Sequence, residues 1–299
     1  MFEIGVPGNL YYHMYKPFID TFTDVAGIHC RYSLKSSREI LDRGNKVCID
    51  EACLPIKLFA GHCSKLSEKC DFIAVPRIMR TECSESICPK FCGLPELTSE
   101  VGAKDWHNIF SEPLYVNDMD SLRGQLWDAS EVTGIGKATF DKAFEYGVHA
   151  QRHTVRGIDD IGYRNKVFLA GHSYNIYDSY ANLNLIEKLH RLDIGVITEE
   201  RVSRYDKEKH LAKLIKKPYW HHLTNIYGAA MCLAEKRSID GIIYVSSFSC
   251  GTDSITAQLI KNSLPSMPFL MLKIDEQTGA AGFDTRLEAF QFILERRFL

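Results

Sequence analysis

The sequence predicts an α/β protein built from two open, parallel-sheet domains of flavodoxin or Rossmann type, facing each other across a cleft and joined by a helical connector. Three observations carry this reading. Short apolar runs alternate with amphipathic segments along most of the chain, the rhythm of βαβ units. That rhythm fades from about residue 100 to residue 164 and then resumes. Both halves open on a strand that runs into a glycine-containing turn, Val6-Pro7-Gly8-Asn9 in one and Leu169-Ala170-Gly171-His172 in the other. The expected organisation is an N-terminal α/β domain over 1–100, a helical connector over 101–164 and a C-terminal α/β domain over 165–299.

In the first half, Phe2–Val6 reads as a strand and Met14–Val25 as a helix, with Pro17 placed early, where a missing N–H costs least. Ile28–Tyr32 is the next strand, and Ser36–Arg43 a helix stopped by Gly44. Leu54, Leu58, Phe59, His62 and Leu66 share one helical face, and Asp71–Val75 is a buried strand ending at Pro76. Asp118–Trp127 and Gly136–Thr154 read as the helices of the connector. In the second half the expected strands are Lys166–Ala170, Ile194–Thr198, Gly241–Val245 and Phe269–Ile274. The helices between and after them are Asp178–Leu192, Lys209–Glu235 broken at Pro218, Asp253–Lys261 and Asp284–Arg296.

Composition narrows the function. A chain of 299 residues with 45% apolar content accommodates about two domains with real cores. Lys and Arg number 36 against 38 Asp and Glu, for a net charge of −2, which argues against a nucleic-acid surface. No stretch reaches the roughly 18 apolar residues of a membrane span. The start lacks the basic and apolar regions of a signal peptide. A cytoplasmic protein is therefore expected, with its cysteines serving as core residues, metal ligands or redox groups rather than as disulfides.

Eight of the ten cysteines fall within the first 92 residues. Cys53, in Ala52-Cys53-Leu54-Pro55, stands at a predicted helix N-terminus, where N–H groups and the helix dipole stabilise a thiolate. Cys83, Cys88 and Cys92 lie in one loop with Pro and Gly; their spacing suggests a metal- or cluster-binding loop but matches neither a zinc ribbon nor a ferredoxin run. Cys250, in Ser249-Cys250-Gly251-Thr252-Asp253, occupies a strand-to-helix turn, with Asp253 a candidate cap for the next helix. That turn is reminiscent of a nucleophile elbow, although it is not G-x-S-x-G and no His is evidently paired with it. It makes better sense as a ligand that completes a site between the domains. Cys30, Cys63 and Cys70 read as core or surface thiols, Cys232 as a core residue, and Cys48 is left open by its proximity to Cys53.

Other residues carry weaker signals. His172 and Tyr174 follow a strand and would face the expected cleft, with turn chemistry an equal explanation. His221-His222 lacks the i, i+4 ligand spacing and reads as solvent or core. Gly279-Ala280-Ala281-Gly282, followed by Arg286, would let a phosphate approach, but it is not a P-loop.

Ile4-Gly5-Val6-Pro7, Cys53-Leu54-Pro55-Ile56-Lys57, Cys88-Pro89-Lys90-Phe91, Ser247-Phe248-Ser249-Cys250-Gly251-Thr252-Asp253 and Lys273-Ile274-Asp275-Glu276 occur in this order. Together they resemble the 2-hydroxyacyl-CoA dehydratase component D family, and within it the uncharacterised domain found with CoA-enzyme activases. The resemblance implies an iron–sulfur cluster, of 4Fe–4S or double-cubane type, held by one cysteine from each of three loops. The matching positions are Cys53, Cys88 and Cys250; Cys83 and Cys92 depart from the pattern. It further implies low-potential electrons from an ATP-hydrolysing activator that carries its own cluster, an acyl-CoA or small-molecule substrate, and room for a dimer. The chain is then a candidate dehydratase or reductase component. The residues leave two alternatives open, a non-catalytic scaffold that binds metal or cluster, and a thiol enzyme using Cys250.

Overall fold

The computed structural model describes residues 2–81, 87–99, 101, 106–216 and 219–296. The chain divides into two compact units, Met1–Val155 and Arg156–Leu299. The first runs β1 (Ile4–Pro7), α1 (Tyr11–Ala26), β2 (Cys30–Ser33), α2 (Arg38–Asn45), α3 (Leu54–Leu66), β3 (Phe72–Ile73), β4 (Ile78–Arg80), α4 (Pro89–Cys92), α5 (Leu94–Thr98), β5 (His107–Asn108), β6 (Leu114–Tyr115), α6 (Met119–Ser130) and α7 (Lys137–His153). Four strands form a parallel sheet in the order β2-β1-β3-β5, and β4 pairs with β6 in a second, two-stranded sheet. The helices anticipated for a connector belong to this unit. α7 packs along α1 through edge-on contacts of Phe18 with Phe144 and of Phe22 with Phe140, at centroid separations of 6.0 and 5.6 Å.

Helix α1 begins earlier than expected, so Pro17 falls inside it and Tyr15 leaves helical geometry at φ −114°. The amide of Gln151 on α7 repairs the break. Its Nε2 donates to Met14 O at 3.0 Å, and its Oε1 accepts from Phe18 N at 3.3 Å. One side chain thus replaces the i→i−4 bond that the kink opens.

The second unit runs β7 (Asn165–Gly171), α8 (Ser173–Ile176), α9 (Leu185–Arg191), β8 (Ile194–Ile197), α10 (Arg204–Leu211), α11 (His221–Glu235), β9 (Gly241–Ser247), α12 (Gly251–Ser263), β10 (Phe269–Ile274) and α13 (Ala280–Arg296). Its sheet is parallel in the order β10-β9-β7-β8. Every residue of β9 is buried, as expected of a central parallel strand covered on both faces. Phe168, Ile242 and Tyr244 pack there with Ile226, Ala230 and Ile260. Counted within each sheet, the strands of both four-stranded sheets stand as second, first, third and fourth, the flavodoxin-like order. The predicted α/β class with parallel sheets is what the chain adopts.

The expected helix over Asp178–Leu192 is only half present, because side chains capture the backbone first. Asp178 Oδ1 accepts from Tyr180 N and Ala181 N at 3.0 and 3.1 Å. Asn182 donates to Asn175 O and Ile176 O at 3.0 and 2.6 Å and accepts from Leu185 N at 3.1 Å. Leu183 and Asn184 take φ of 56°, and α9 starts only after them. Pro218, the expected breaker of the following helix, lies outside the described residues.

Candidate functional site

In an open α/β sheet, ligands bind outside the carboxyl ends of the strands, where the strand order reverses. In the second unit that point lies between β7 and β9. Gly171 closes β7 with φ 147°, and a Cβ there would stand 2.5 Å from Val245 O, so a glycine is what lets the two strand ends approach. His172 follows it. Cys250 follows β9 as the N-cap of α12, and Asp253 sits in that helix's first turn.

These three residues converge, with one ligand atom from each lying within 4.8 Å of the others. His172 Nε2 is 3.1 Å from Asp253 Oδ1. The Tyr244 hydroxyl donates to the same oxygen at 3.0 Å. Cys250 Sγ lies 3.3 Å from Thr252 Oγ1. The His172 ring stacks on Tyr174 at 4.8 Å and meets the edge of His222 at 4.8 Å. Asp253 is fully buried and His172 only 8% exposed.

Burial pulls the His172 imidazolium pKa down, but the Asp253 carboxylate and Cys250 outweigh it and push the value up to about 10. Burial would raise the Asp253 carboxyl; His172, aided by hydrogen bonds from Ser246 and Tyr244, holds it below the usual carboxylate range. His222 is driven well below the ordinary imidazole value by burial, then by His172 and His221, and is neutral. Four buried polar atoms in this region have no hydrogen-bond partner among the described residues: His172 Nδ1, Ser173 Oγ, Asn175 Nδ2 and Asp253 Oδ2. A folded protein leaves few such groups unsatisfied, and each calls for an explanation.

In the first unit, Cys53 is the N-cap of α3 and Cys88 the N-cap of α4. Cys53 is half-buried and Cys88 exposed. Their loops are joined by Lys90, whose Nζ donates to Glu51 O at 3.3 Å. Cys92, one turn beyond Cys88, has its carbonyl bound by Arg77 Nη1 at 2.9 Å. Burial raises the Cys92 thiol, as does Cys88, against the pull of Arg77 and Arg80. The Tyr11 ring packs edge-on to Phe91 at 5.8 Å. Its buried hydroxyl has no hydrogen-bond partner among the described residues, and its pKa is raised by burial, then by Cys92, Tyr15 and Cys88. Behind Tyr11 an apolar cavity of about 140 Å³ extends between Val6, Phe22 and Phe110.

The structure thus brings the Cys53 and Cys88 loops together in one unit and sets Cys250 in the other. Cys83 lies outside the described residues. Burial raises Cys48, against Lys57, and pushes Cys30 and Cys70 up to about 11, while Cys63 is buried and raised further. Cys63, Cys70 and Cys232 are buried core thiols, and Cys30 is half-buried. Gly279–Gly282 leads into α13 without assembling a phosphate cradle among the described residues, and Arg286 is exposed.

One expectation needs correction. Cys250 does have a histidine beside it, His172, some eighty residues earlier in sequence but adjacent at the ends of paired strands. Asp253 is not the helix cap, which is Cys250; it lies in the first turn, and its carboxylate holds that histidine. Gly171-His172, directly after a strand, was the available signal, and only the pairing of β7 with β9 connects it to Cys250.

No curated protein matches the chain. The family described as the CoA enzyme activase uncharacterised domain matches residues 3–202, which takes in Cys53, Cys88 and His172 and ends before Cys250. That match spans two thirds of the sequence, all but the last strands and helices, and the chain belongs to this activase-related family.

Proposed function

We propose that the protein binds an iron–sulfur cluster through Cys53, Cys88 and Cys250 and accepts low-potential electrons from an ATP-hydrolysing activator for a reductive or radical reaction. The observation that supports it best is that Cys53 and Cys250 each cap a thirteen-residue helix. The N–H groups and positive end of the helix dipole at such a position suit an anionic cluster. The link from Lys90 to the Glu51 carbonyl holds the Cys88 loop against the Cys53 loop. A donor set of thiolates suits iron–sulfur chemistry, and the buried Tyr11 hydroxyl beside Cys88 and Cys92 offers a hydrogen bond to it. Membership of the activase-related family supports an activator as the electron donor, with an acyl-CoA or a small molecule as substrate in the cytoplasm.

The test is anaerobic purification with iron and acid-labile sulfide analysis, followed by EPR after reduction with and without an ATP-dependent activator. Iron and sulfide in equal amounts with a reducible signal support the reading. Stoichiometric zinc without sulfide overturns it.

A second reading, a thiol enzyme, draws on His172 and Asp253 beside Cys250, the order of a nucleophile, its base and the group that orients the base. Rapid alkylation of Cys250 that slows in His172→Gln, in protein stripped of metal, would favour it.

A further inference from the structure

We infer that the C-terminal unit, when no cluster occupies Cys250, holds one thiophilic divalent cation, of the zinc or iron(II) class, through His172, Cys250 and Asp253. This rests on Cys250 being a metal ligand, as in the proposed function, but not on the cluster or on Cys53 and Cys88.

The donor set is an imidazole nitrogen, a sulfur and a carboxylate oxygen, all within 4.8 Å of one another. The 3.1 Å between His172 and Asp253 is close to the roughly 3.3 Å that separates two ligands bound at about 2.0 Å around a tetrahedral ion. A thiolate and a carboxylate together supply the two negative charges that a buried divalent ion requires.

An ion pair between His172 and Asp253 accounts for one nitrogen and one oxygen. It leaves His172 Nδ1 and Asp253 Oδ2 buried without partners among the described residues. A cation at the 3.1 Å pair takes the same nitrogen and oxygen and adds the Cys250 sulfur, so the unpartnered atoms mark polar, unfilled surroundings rather than its ligands.

The surroundings are those of a metal site. Tyr244, fully buried, fixes Asp253 through its hydroxyl, and Tyr174 stacks on the His172 ring, so two of the three donors are oriented from behind. Three protein donors leave a fourth position of a tetrahedral ion open, the pattern of reactive rather than structural zinc. Ser173 Oγ and Asn175 Nδ2, on the turn that begins at His172, are also without partners among the described residues and are available to an oxygen ligand in that position.

The test uses the full chain carrying Cys53→Ala and Cys88→Ala, titrated anaerobically with cobalt(II). The expected result is one cobalt per chain, a thiolate-to-cobalt charge-transfer band in the near ultraviolet and the strong visible bands of a four-coordinate ion. Adding Cys250→Ser should abolish the charge-transfer band. His172→Gln and Asp253→Asn should each weaken cobalt binding at least about tenfold, and Tyr244→Phe about tenfold, the usual effect of removing a group that orients a ligand. Tyr244→Phe deletes a single hydroxyl and keeps the test open if the charge-altering variants do not fold. No charge-transfer band in the double variant, or a band unchanged by Cys250→Ser, overturns the inference. Sulfide-free wild type overturns the cluster reading alone, and absent cobalt bands beside a sulfide-containing wild type overturn this inference alone.

Discussion

Replacing Gly44 with alanine tests how the fold positions Cys53. Gly44 lies near the end of α2, against the first turn of α3, and is buried. A Cβ there would stand 1.8 Å from Lys57 O and 2.6 Å from its carbonyl carbon. Real Cβ atoms essentially never come within 3.0 Å of another heavy atom, so the two backbones must separate by about 1.2 Å. Both contacts are with backbone, so no rotamer change relieves them. Overpacking of this kind costs about 1–3 kcal/mol, and the helix propensity gained over glycine returns about 0.5–1 kcal/mol. The expected net loss is about 1 kcal/mol, a fivefold or so change in the folding equilibrium. The displacement falls on the turn headed by Cys53, whose carbonyl accepts from Lys57 N at 3.1 Å. Urea unfolding at unchanged slope should show a lower midpoint for Gly44→Ala. Gly124→Ala is the control: in α6 a Cβ meets nothing within 4 Å, so a gain of about 0.5–1 kcal/mol is expected. If Gly44→Ala matches wild type, the close α2–α3 approach does not exist as described.

Three further outcomes follow from side chains that serve the backbone or titrate. Gln151→Leu removes both bonds across the Pro17 kink, and about 1–3 kcal/mol of stability should go with them; hydrogen exchange at the Phe18 amide should accelerate, and an unchanged rate would contradict the repair. Asn182→Ala deletes three buried hydrogen bonds before α9 and should cost about 2–4 kcal/mol in urea unfolding; a neutral effect would mean the turn is not side-chain determined. His62, between Ser33 Oγ at 2.7 Å and Ser36 Oγ at 3.0 Å, is held at about 3 by burial, with His13 and Lys65 adding to the effect. Its pKa is lower folded than unfolded, so its contribution is complete above about pH 6.5 and declines as pH falls toward 3, by about 1.4 kcal/mol per pH unit. His62→Asn should flatten the acid limb of a stability-versus-pH curve by that slope, and an unaltered curve would contradict the assignment.

The α/β class was legible because strands such as the one over Gly241–Val245 are buried along their length and so read as uninterrupted apolar runs. Asp178–Asn184 was not, because its Asp and Asn residues compete for backbone groups in a way that apolar periodicity does not register. The helix-start character of Cys53 was visible in the Leu-Pro that follows it, whereas the helix after Cys250 was expected only from Asp253 and begins at Gly251. The partnership of Cys250 with His172 was invisible, since it depends on β7 and β9 being neighbours while β8, α10 and α11 intervene in sequence. The same applies to Gln151, whose role at a proline kink 134 residues away from Pro17 exists only once α7 packs on α1.

The most direct measurement of the central claim is iron and acid-labile sulfide content of anaerobically purified wild type beside Cys53→Ala, Cys88→Ala and Cys250→Ala. The account predicts iron and sulfide in the wild type and loss of both in each of the three variants. Three variants that keep the full wild-type content would contradict it.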